Sequence, residues 1–245
     1  KGDTIMTHNK ANKSKILALI LGLTMCLALM LGIVFASPTS TVYAEGGTGT
    51  TGGLIIDGTG DITTPDGTYA YTAADKTLTL NGYNGGVIKF NEDNDVTLKL
   101  VGSTNAITLN DSTVTENQYG VYAAGNLTVT GNGTLNINVD ISGSGDEITT
   151  EYGKALYGLY ANNLTISGEV NINVNLISNG FSCGIFAVND ITVTDKANVD
   201  IKCRSKYSNT EYSNTNKVVY GIYSQKGNIK LSGTGTRNIE HTCTV

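Results

Sequence analysis

The fold is decided most clearly by residues 157–174, which read YGLYANNLTISGEVNINV. Three short segments, residues 157–160, 164–166 and 170–174, are separated by polar turns. Apolar and polar residues alternate in the second and third segments, and a period of two is typical of a strand that buries one face. The stretch therefore predicts three short strands with Leu, Ile and Val inward and Thr and Asn outward.

The same pattern of three strands recurs along the chain. A weaker copy in residues 86–109 precedes four clear copies. One coil cannot bury its apolar edge alone, so repeated coils must stack on one another. We therefore predict an all-β solenoid over residues 68–245, with three strands per coil and about five or six coils. Each clear copy opens with a signature glycine that follows Tyr or Cys: Gly120, Gly158, Gly184 and Gly221.

Asparagine or aspartate recurs just before the second strand of the repeat, at Asn126, Asn163, Asp190 and Asn228. Both residue types tolerate left-handed backbone conformations and can hydrogen-bond along a stack. The pattern predicts an asparagine ladder at one corner of a parallel β-helix.

Variation in repeat length is concentrated at another corner, between the third strand and the next signature glycine. The connections there cover residues 110–118, 142–156, 178–182 and 205–217. Insertions that emerge at one corner form a loop-rich edge, which is often the binding edge of a solenoid. Two long connections, residues 142–156 and 205–217, flank a short one, so we predict a groove about 10 Å wide between them.

Six side chains on the two long connections are the predicted glycan-binding residues. Tyr offers a flat apolar face and a hydroxyl, and a carboxylate accepts hydrogen bonds from sugar hydroxyls. This chemistry suits neutral glycans better than polyuronates, which the negative charge of the chain would repel. The predicted residues are Glu147, Glu151, Tyr152, Tyr207, Glu211 and Tyr212.

A second candidate for glycan binding is an aromatic ladder, because Tyr122, Tyr160, Phe186 and Tyr223 repeat at one position. If the residue before each ring points inward, strict alternation places the rings outward and the Tyr before each signature glycine on the other face. The inverse register would bury the four rings. The outward arrangement is favoured, and the inverse one stays open.

The N-terminus is typical of an export signal. Three Lys in residues 10–15 precede the uncharged residues 16–36, and short or small side chains surround Ala44. This order predicts a signal helix within a signal peptide, residues 1–44. Cleavage after Ala36 is one alternative, and an uncleaved helix that spans a membrane is another.

The segments on either side of the cleavage point complete the predicted organisation. Residues 1–5 precede Met6 and are interpreted as a translated leader. Residues 45–67, rich in Gly and Thr, are predicted to form a linker and an N-terminal cap. After cleavage before Glu45 the protein would be secreted or held at the cell surface, with no segment left in the membrane.

The charge of the chain argues against a nucleic-acid partner. Four of the 16 Lys and Arg and one of the 21 Asp and Glu lie in residues 1–44, so the remaining chain carries a net charge of −8. Phosphate contacts need clustered Lys and Arg, and the sequence has no basic patch.

Three cysteines follow the signal segment, and an odd number does not make a disulfide framework. Aligning the third strands of the last two repeats places Cys203 beside Cys243. Adjacent coils bring Cα atoms to about 4.8 Å, within disulfide range. A bridge and two buried thiols are the alternatives, and Cys183 is predicted to stay unpaired.

Residues 91–95 read NEDND and concentrate oxygen ligands in one turn, so Asp93 and Asp95 are the candidate Ca²⁺ ligands. The segment lacks EF-hand spacing, and a solvated polar turn is the alternative. No other cofactor is predicted.

Residues 75–86, DKTLTLNGYNGG, are followed by repeated Tyr-Gly-Ile-Tyr-Ala-like and Asn-Leu-Thr-Val-like segments. Over residues 68–245 the chain resembles secreted or surface proteins of Gram-positive gut bacteria, which look like right-handed parallel β-helices of the pectate-lyase-like superfamily. Some of these are called carbohydrate-binding proteins. The resemblance implies a right-handed β-helix and polysaccharide or calcium binding. Its motifs are core and turn positions, so they specify the fold better than the activity.

Two classes of function fit this reading. An enzyme of the superfamily would be a polysaccharide lyase, which needs a base and usually Ca²⁺ held by clustered Asp, or a glycoside hydrolase, which needs two carboxylates about 5–10 Å apart. No Asp cluster recurs on a face with Arg204 or Arg237. We therefore predict a non-catalytic extracellular or surface module that binds carbohydrate or acts in adhesion, with the enzyme as the alternative and no catalytic residue assigned.

Overall fold

A computed structural model describes residues 53–91, 94–102, 104–110, 116–142, 155–178, 180–206 and 218–244, all within one compact unit, Ser40–Val245. Among these residues the protein is all-β and has no helix, hence none long and apolar enough to cross a membrane. The predicted signal peptide lies outside the described residues.

Twenty strands are described, and most are three to nine residues long. In chain order they are β1 (Leu54–Ile56), β2 (Ile62–Thr63), β3 (Tyr69–Thr72), β4 (Thr77–Leu80), β5 (Asn84–Gly85), β6 (Ile88–Phe90), β7 (Val96–Leu100), β8 (Thr104–Asn110), β9 (Gln118–Ala123), β10 (Leu127–Gly131), β11 (Thr134–Asp140), β12 (Leu156–Ala161), β13 (Leu164–Ile166), β14 (Asn171–Ser178), β15 (Ser182–Ala187), β16 (Ile191–Val193), β17 (Asn198–Lys206), β18 (Val219–Ser224), β19 (Ile229–Leu231) and β20 (Arg237–Thr244).

The strands form three sheets. The first sheet is β1-β6-β9-β12-β15-β18, the second is β19-β16-β13-β10-β7-β4-β3-β2, and the third is β20-β17-β14-β11-β8-β5. From β4 onward the chain passes through the second, third and first sheets in turn. Described neighbours pair in parallel, apart from β2–β3 and β3–β4, which are antiparallel. This order is consistent with the predicted solenoid.

Equivalent residues of successive repeats pair with one another in the sheets. Ile172 on β14 lies beside Leu135 on β11 and Val199 on β17, and all three are buried. Leu164 lies in the same way between Leu127 and Ile191. The assigned strand phase, with Leu, Ile and Val inward, is therefore confirmed.

The signature glycines lie where the first sheet approaches the third. A Cβ added at Gly158 would lie 2.6 Å from Cγ1 of Val174 and would also meet the carbonyl oxygen of Gly184. At Gly120, Gly184 and Gly221 an added Cβ would collide with the side chains of Ile137, Ile201 and Ile239, respectively. Glycine recurs here because a β-branched side chain of the third sheet fills the space.

The predicted asparagine ladder is present. Asn126 donates from Nδ2 to Oδ1 of Asp95 at 2.7 Å, and Asn163 donates to Oδ1 of Asn126 at 2.7 Å. The backbone N–H of Asp190 donates to Oδ1 of Asn163 at 3.0 Å, and the N–H of Asn228 donates to Oδ1 of Asp190 at 2.7 Å. Side-chain oxygens thus bind backbone N–H groups of the following coil along the corner.

A further ladder, which the sequence did not predict, lies at the start of the strands of the third sheet. Asn198 donates from Nδ2 to Oδ1 of Asn171 at 2.8 Å, and its own Oδ1 accepts the backbone N–H of Thr236 at 2.7 Å. Two rows of side-chain amides therefore join successive repeats, in addition to the backbone hydrogen bonds of the sheets.

Asn163→Ala is expected to lower the free energy of unfolding by about 1 kcal/mol, because it removes both the Oδ1 acceptor of the Asp190 backbone N–H and the amide donor to Asn126. Thr165→Ala, two residues away on the outer face, is the matched control and should change stability by under about 0.5 kcal/mol. Urea titration followed by circular dichroism measures both. Equal values for the two variants would contradict a stabilising ladder.

The N-terminal end of the sheets contains features that the repeat pattern did not reveal. Strand β1 lies in the segment predicted as linker and cap, yet it pairs with β6 and buries Leu54 and Ile56. Asn105 is fully buried; its Oδ1 accepts the N–H groups of Gly82 and Tyr83, at 2.9 and 3.0 Å. This amide connects β8 to the turn before β5.

The predicted alignment of Cys203 with Cys243 is wrong. Cys203 lies beside His241, and Cys243 lies beside Ser205, because Ile239 pairs with Ile201 and shifts the last strand by two residues. Cys203 is a free, buried thiol, as is Cys183. Burial raises the pKa of the Cys203 thiol to about 12 and also raises that of Cys183, so both are poor nucleophiles near neutral pH.

Candidate functional site

The described strands show where the chain leaves and re-enters the sheets on either side of the two long connections, but the six residues of the predicted groove do not lie among those described. Strands β11 and β17 of the third sheet lead into the two long connections, and β12 and β18 of the first sheet follow them. The predicted ligands Glu147, Glu151, Tyr152, Tyr207, Glu211 and Tyr212 fall outside the described residues. Their assignment stays a prediction.

The candidate calcium site is described only in part. Asp93 is outside the described residues, and Asp95 is the first member of the asparagine ladder, since its Oδ1 accepts the amide of Asn126. The described part of the chain contains no group of three or more His, Cys, Asp or Glu placed to hold a metal ion. Asp95 thus has a structural partner, and the Ca²⁺ assignment stays a prediction.

The aromatic side chains of the first sheet lie on its outer face in two adjacent columns. Tyr122 and Tyr160 are half-buried there while Val121 and Leu159 are fully buried, as the outward arrangement requires. The expectation that the Tyr before each glycine lies on the opposite face is wrong. Because the glycine and the residue after it are both buried, alternation breaks, and Tyr119 packs edge-on against Tyr122 at 4.9 Å.

We call these two columns the aromatic stripe, and its rings stack on one another. Its members are Tyr119, Tyr122, Tyr157, Tyr160, Phe181, Phe186, Tyr220 and Tyr223. Tyr119 and Tyr157 are 5.3 Å apart with a 10° angle between their planes, and Tyr160 and Phe186 are 4.9 Å apart at 8°. Lys89 lies over the ring of Tyr122, with Nζ 5.8 Å from its centre. A sugar that stacks on an aromatic side chain needs a ring face in solvent, and here neighbouring rings cover those faces. The stripe is better suited to stabilising the sheet than to binding sugars.

Phe181 fills a gap in one column of the stripe, where a cysteine replaces the tyrosine of the neighbouring strands. Cys183 occupies the position held by Tyr157 and Tyr220 in the adjacent strands. Phe181 places its ring 5.6 Å from Tyr157 and 5.7 Å from Tyr220 and so continues the column. Burial raises the pKa of the Tyr157 hydroxyl above its usual value.

The outer face of the third sheet carries the polar site that the geometry favours. A shallow depression of about 370 Å³ lies across β11, β14 and β17. We call it the third-sheet depression, and it is lined by Asn136, Asn138, Asn173, Val174, Asn175, Asp200, Lys202 and Arg204.

The lining side chains form two regular rows that cross the strands. Asn136, Asn173 and Asp200 are paired across the sheet in one row, and Asn138, Asn175 and Lys202 are paired in the next. Adjacent strands are about 4.8 Å apart, and residues two apart along a strand are about 6.6 Å apart. The depression is therefore a nearly flat array of amide, carboxylate and ammonium groups.

Hydrogen bonds within the sheet orient part of this array. Asn173 donates from Nδ2 to Oδ1 of Asn136 at 2.7 Å, which directs one amide against the next. Lys202 and Arg204 are donors only, Asp200 is an acceptor, and each Asn offers both functions. Asp200 is the single carboxylate of the lining, whereas a hydrolase uses a pair. The array can bind a ligand rich in hydroxyl groups, and its lining does not supply a paired acid and base.

The alternating pattern predicts that the polar residues of this lining point outward, but it does not mark them as a site. Outward Asn is ordinary in such strands, so the residue types alone give no signal. The usable signal was the change from Asn173 and Asn175 to Asp200 and Lys202 on the next strand, which places charged side chains beside amides.

Comparison of the chain with models of protein families, with curated proteins and with solved structures finds no match in any of the three.

Proposed function

We propose that the chain forms a right-handed parallel β-helix of about six coils and acts as a non-catalytic, secreted or cell-surface module that binds carbohydrate. The observation that carries this proposal is the third-sheet depression, a polar array on an otherwise regular sheet face. The cyclic order of strands through three sheets supports the β-helix.

The spacing of the array supports a polymeric glycan as the ligand. Side chains recur every strand, about 4.8 Å, and a sugar residue in an extended chain has a similar size, so successive residues could meet successive strands. Asn138 and Asn175 can donate to and accept from hydroxyl groups, while Lys202 donates. The net charge of −8 that follows from the composition of residues 45–245 disfavours polyuronates. A neutral glycan is the expected ligand.

The depression is close in sequence to one of the two connections of the predicted groove. Arg204 is two residues before Lys206, the last residue of β17, and Tyr207 follows immediately in the sequence. The lining of the depression and the predicted loop residues are therefore close along the chain, and a glycan bound on the sheet face could extend toward that corner.

The test is a binding measurement on the double variant Asn138→Ala/Asn175→Ala. We expect the Kd for a neutral glycan, found with a glycan array and measured by isothermal titration calorimetry, to rise at least about tenfold, equivalent to 1.4 kcal/mol, because two amides leave the array. Equal affinity for variant and native protein would contradict the site.

Two further variants locate the contact. Thr128→Ala/Thr165→Ala removes two paired, half-buried side chains from the outer face of the second sheet and should leave Kd unchanged. Tyr152→Ala/Tyr207→Ala/Tyr212→Ala tests the predicted groove separately. If only this triple variant binds more weakly, the groove and not the depression is the site. Shortening of polygalacturonate or a neutral glycan during incubation would instead favour the alternative class, a lyase or hydrolase.

A further inference from the structure

Four tyrosines of the aromatic stripe form a cluster on the outer face of the first sheet. Strand β9 contributes Tyr119 and Tyr122, and β12 contributes Tyr157 and Tyr160, which pair with them directly across the sheet. We call these four residues the tyrosine quartet. All four are half-buried, so each phenol ring packs against its neighbours and still has part of its surface in solvent.

The rings of the quartet are close enough to react with one another. The ring centres of Tyr119 and Tyr157 are 5.3 Å apart, and the ring planes differ by 10°. Tyr122 and Tyr160 are also 5.3 Å apart, at 17°. Because paired side chains of parallel strands extend in the same direction, a small rotation about the side-chain bonds brings the carbons ortho to the two hydroxyl groups together.

Few other side chains compete with these tyrosines for a one-electron oxidant. The sequence contains no Trp, and its three Met all lie in residues 1–44. Cys183 and Cys203 are buried thiols, and burial raises the pKa of both. Oxidants attack the thiolate form of Cys, which these two residues rarely adopt near neutral pH. Among the described residues, Tyr is therefore the side chain at which one-electron oxidation is expected.

We propose that the tyrosine quartet is a site of oxidative cross-linking, at which Tyr119 and Tyr157 couple to form dityrosine. The oxidant is hydrogen peroxide acting through a haem peroxidase. Each phenol gives up one electron and one proton, and the two phenoxyl radicals form a carbon–carbon bond between their ortho carbons. Each ortho hydrogen then moves to its phenol oxygen. One hydrogen peroxide takes up the two electrons and two protons and becomes two molecules of water.

The surroundings favour the pair Tyr119–Tyr157 over the pair Tyr122–Tyr160. Lys89 places its Nζ 5.8 Å from the centre of the Tyr122 ring, and a positive charge there opposes the loss of an electron from that ring. Tyr119 meets Tyr122 edge-on at 4.9 Å and Tyr160 at 5.3 Å. An electron can therefore pass from Tyr119 to a radical formed on either ring, which moves the radical to the favoured pair.

The neighbouring strand limits the reaction to the quartet. On β15, Cys183 pairs with Tyr157 and Phe186 pairs with Tyr160, so neither column continues with a phenol. Phe186 stacks on Tyr160 at 4.9 Å but has no hydroxyl from which a phenoxyl radical could form. The expected product is therefore one covalent bond between two successive repeats. It closes a loop from residue 119 to residue 157 in the unfolded chain, as a disulfide would.

Treatment of the purified chain with a haem peroxidase and hydrogen peroxide tests the proposal. We expect the blue fluorescence of dityrosine and, by tandem mass spectrometry of a tryptic digest, a cross-link between Tyr119 and Tyr157 that lacks two hydrogen atoms. The yield per chain should not depend on protein concentration, because the fold already holds the two rings together. A yield that rises with concentration, cross-links confined to other tyrosines, or no cross-link at all would overturn the proposal.

Two variants separate the quartet from tyrosines in general. Tyr119→Phe/Tyr157→Phe keeps both rings and removes both hydroxyl groups, so the yield of dityrosine should fall at least about fivefold. Tyr69→Phe is the matched control: Tyr69 is also half-buried, but its ring meets that of the buried Tyr83 at 5.9 Å and 80°, without stacking. This control should keep the native yield. Thermal unfolding confirms that each variant is folded. Equal yields from the double variant and the native protein would also contradict the site.

Discussion

Gly158→Val is expected to lower the free energy of unfolding by about 3 kcal/mol, a large loss for one residue. Gly158 lies at the centre of β12, where even a Cβ would approach Cγ1 of Val174 to 2.6 Å and would meet the carbonyl of Gly184. A valine adds three carbons to a space that is already filled. Chemical denaturation followed by circular dichroism measures the loss.

A double-mutant cycle identifies the cause of this loss. Adding Val174→Ala removes Cγ1 and should recover part of the stability lost in Gly158→Val, whereas the carbonyl of Gly184 remains in place. We expect a coupling free energy above about 0.5 kcal/mol between the two positions. Simple additivity of the two single losses would show that side-chain crowding between the first and third sheets is not responsible.

Ile172→Ala is expected to lower the free energy of unfolding by about 2–4 kcal/mol. Ile172 is 0% exposed and lies between Leu135 and Val199 in the third sheet. An inward residue of a central repeat contacts its own coil and both neighbours, so truncation leaves a cavity that the stack cannot easily close. Equilibrium unfolding in urea gives the value.

The matched control for this substitution is Asn175→Ala, which lies on the outer side of the same strand and should change stability by under about 1 kcal/mol. Asn171, directly beside Ile172, is a poorer control because its Oδ1 accepts the amide of Asn198. If Ile172→Ala and Asn175→Ala were equally destabilising, the inward and outward faces of β14 would have been assigned incorrectly.

The sequence predicts the described fold well because its signal is repeated. A period of two in one strand is ambiguous, but Leu127, Leu164 and Ile191 show the same phase in successive strands, and the structure pairs them. The asparagine ladder was also predictable, because a side chain that bonds to its equivalent in the next coil must recur at every turn.

Prediction failed where the repeat is irregular. Strand β20, the third strand of the last repeat, is two residues away from its predicted register on β17. Its apolar residue Ile239 pairs with Ile201. Strict alternation also failed at the signature glycines. Two consecutive buried residues, Gly120 and Val121, bring Tyr119 and Tyr122 to one face. Both outcomes depend on packing between sheets, which a period along one strand does not contain.

The candidate site was less predictable than the fold. Insertions in the sequence predicted a binding site on the loops, whereas the third-sheet depression lies on a regular sheet face. It arises where the row of short amides Asn138 and Asn175 ends at the longer Lys202 on β17. A difference in side-chain length between neighbouring strands makes a depression only after the strands are paired, so no single segment shows it.

The direction of the backbone hydrogen bonds has a mechanical consequence. They run from one repeat to the next within each sheet, while the covalent chain passes from sheet to sheet. Tension applied across successive repeats would therefore load these bonds end-on and detach the repeats one at a time. Successive signature glycines are 38, 26 and 37 residues apart. Each detached repeat would thus add roughly 90–130 Å to the extended length of the chain. Under tension the protein would therefore unfold in steps and not in one event.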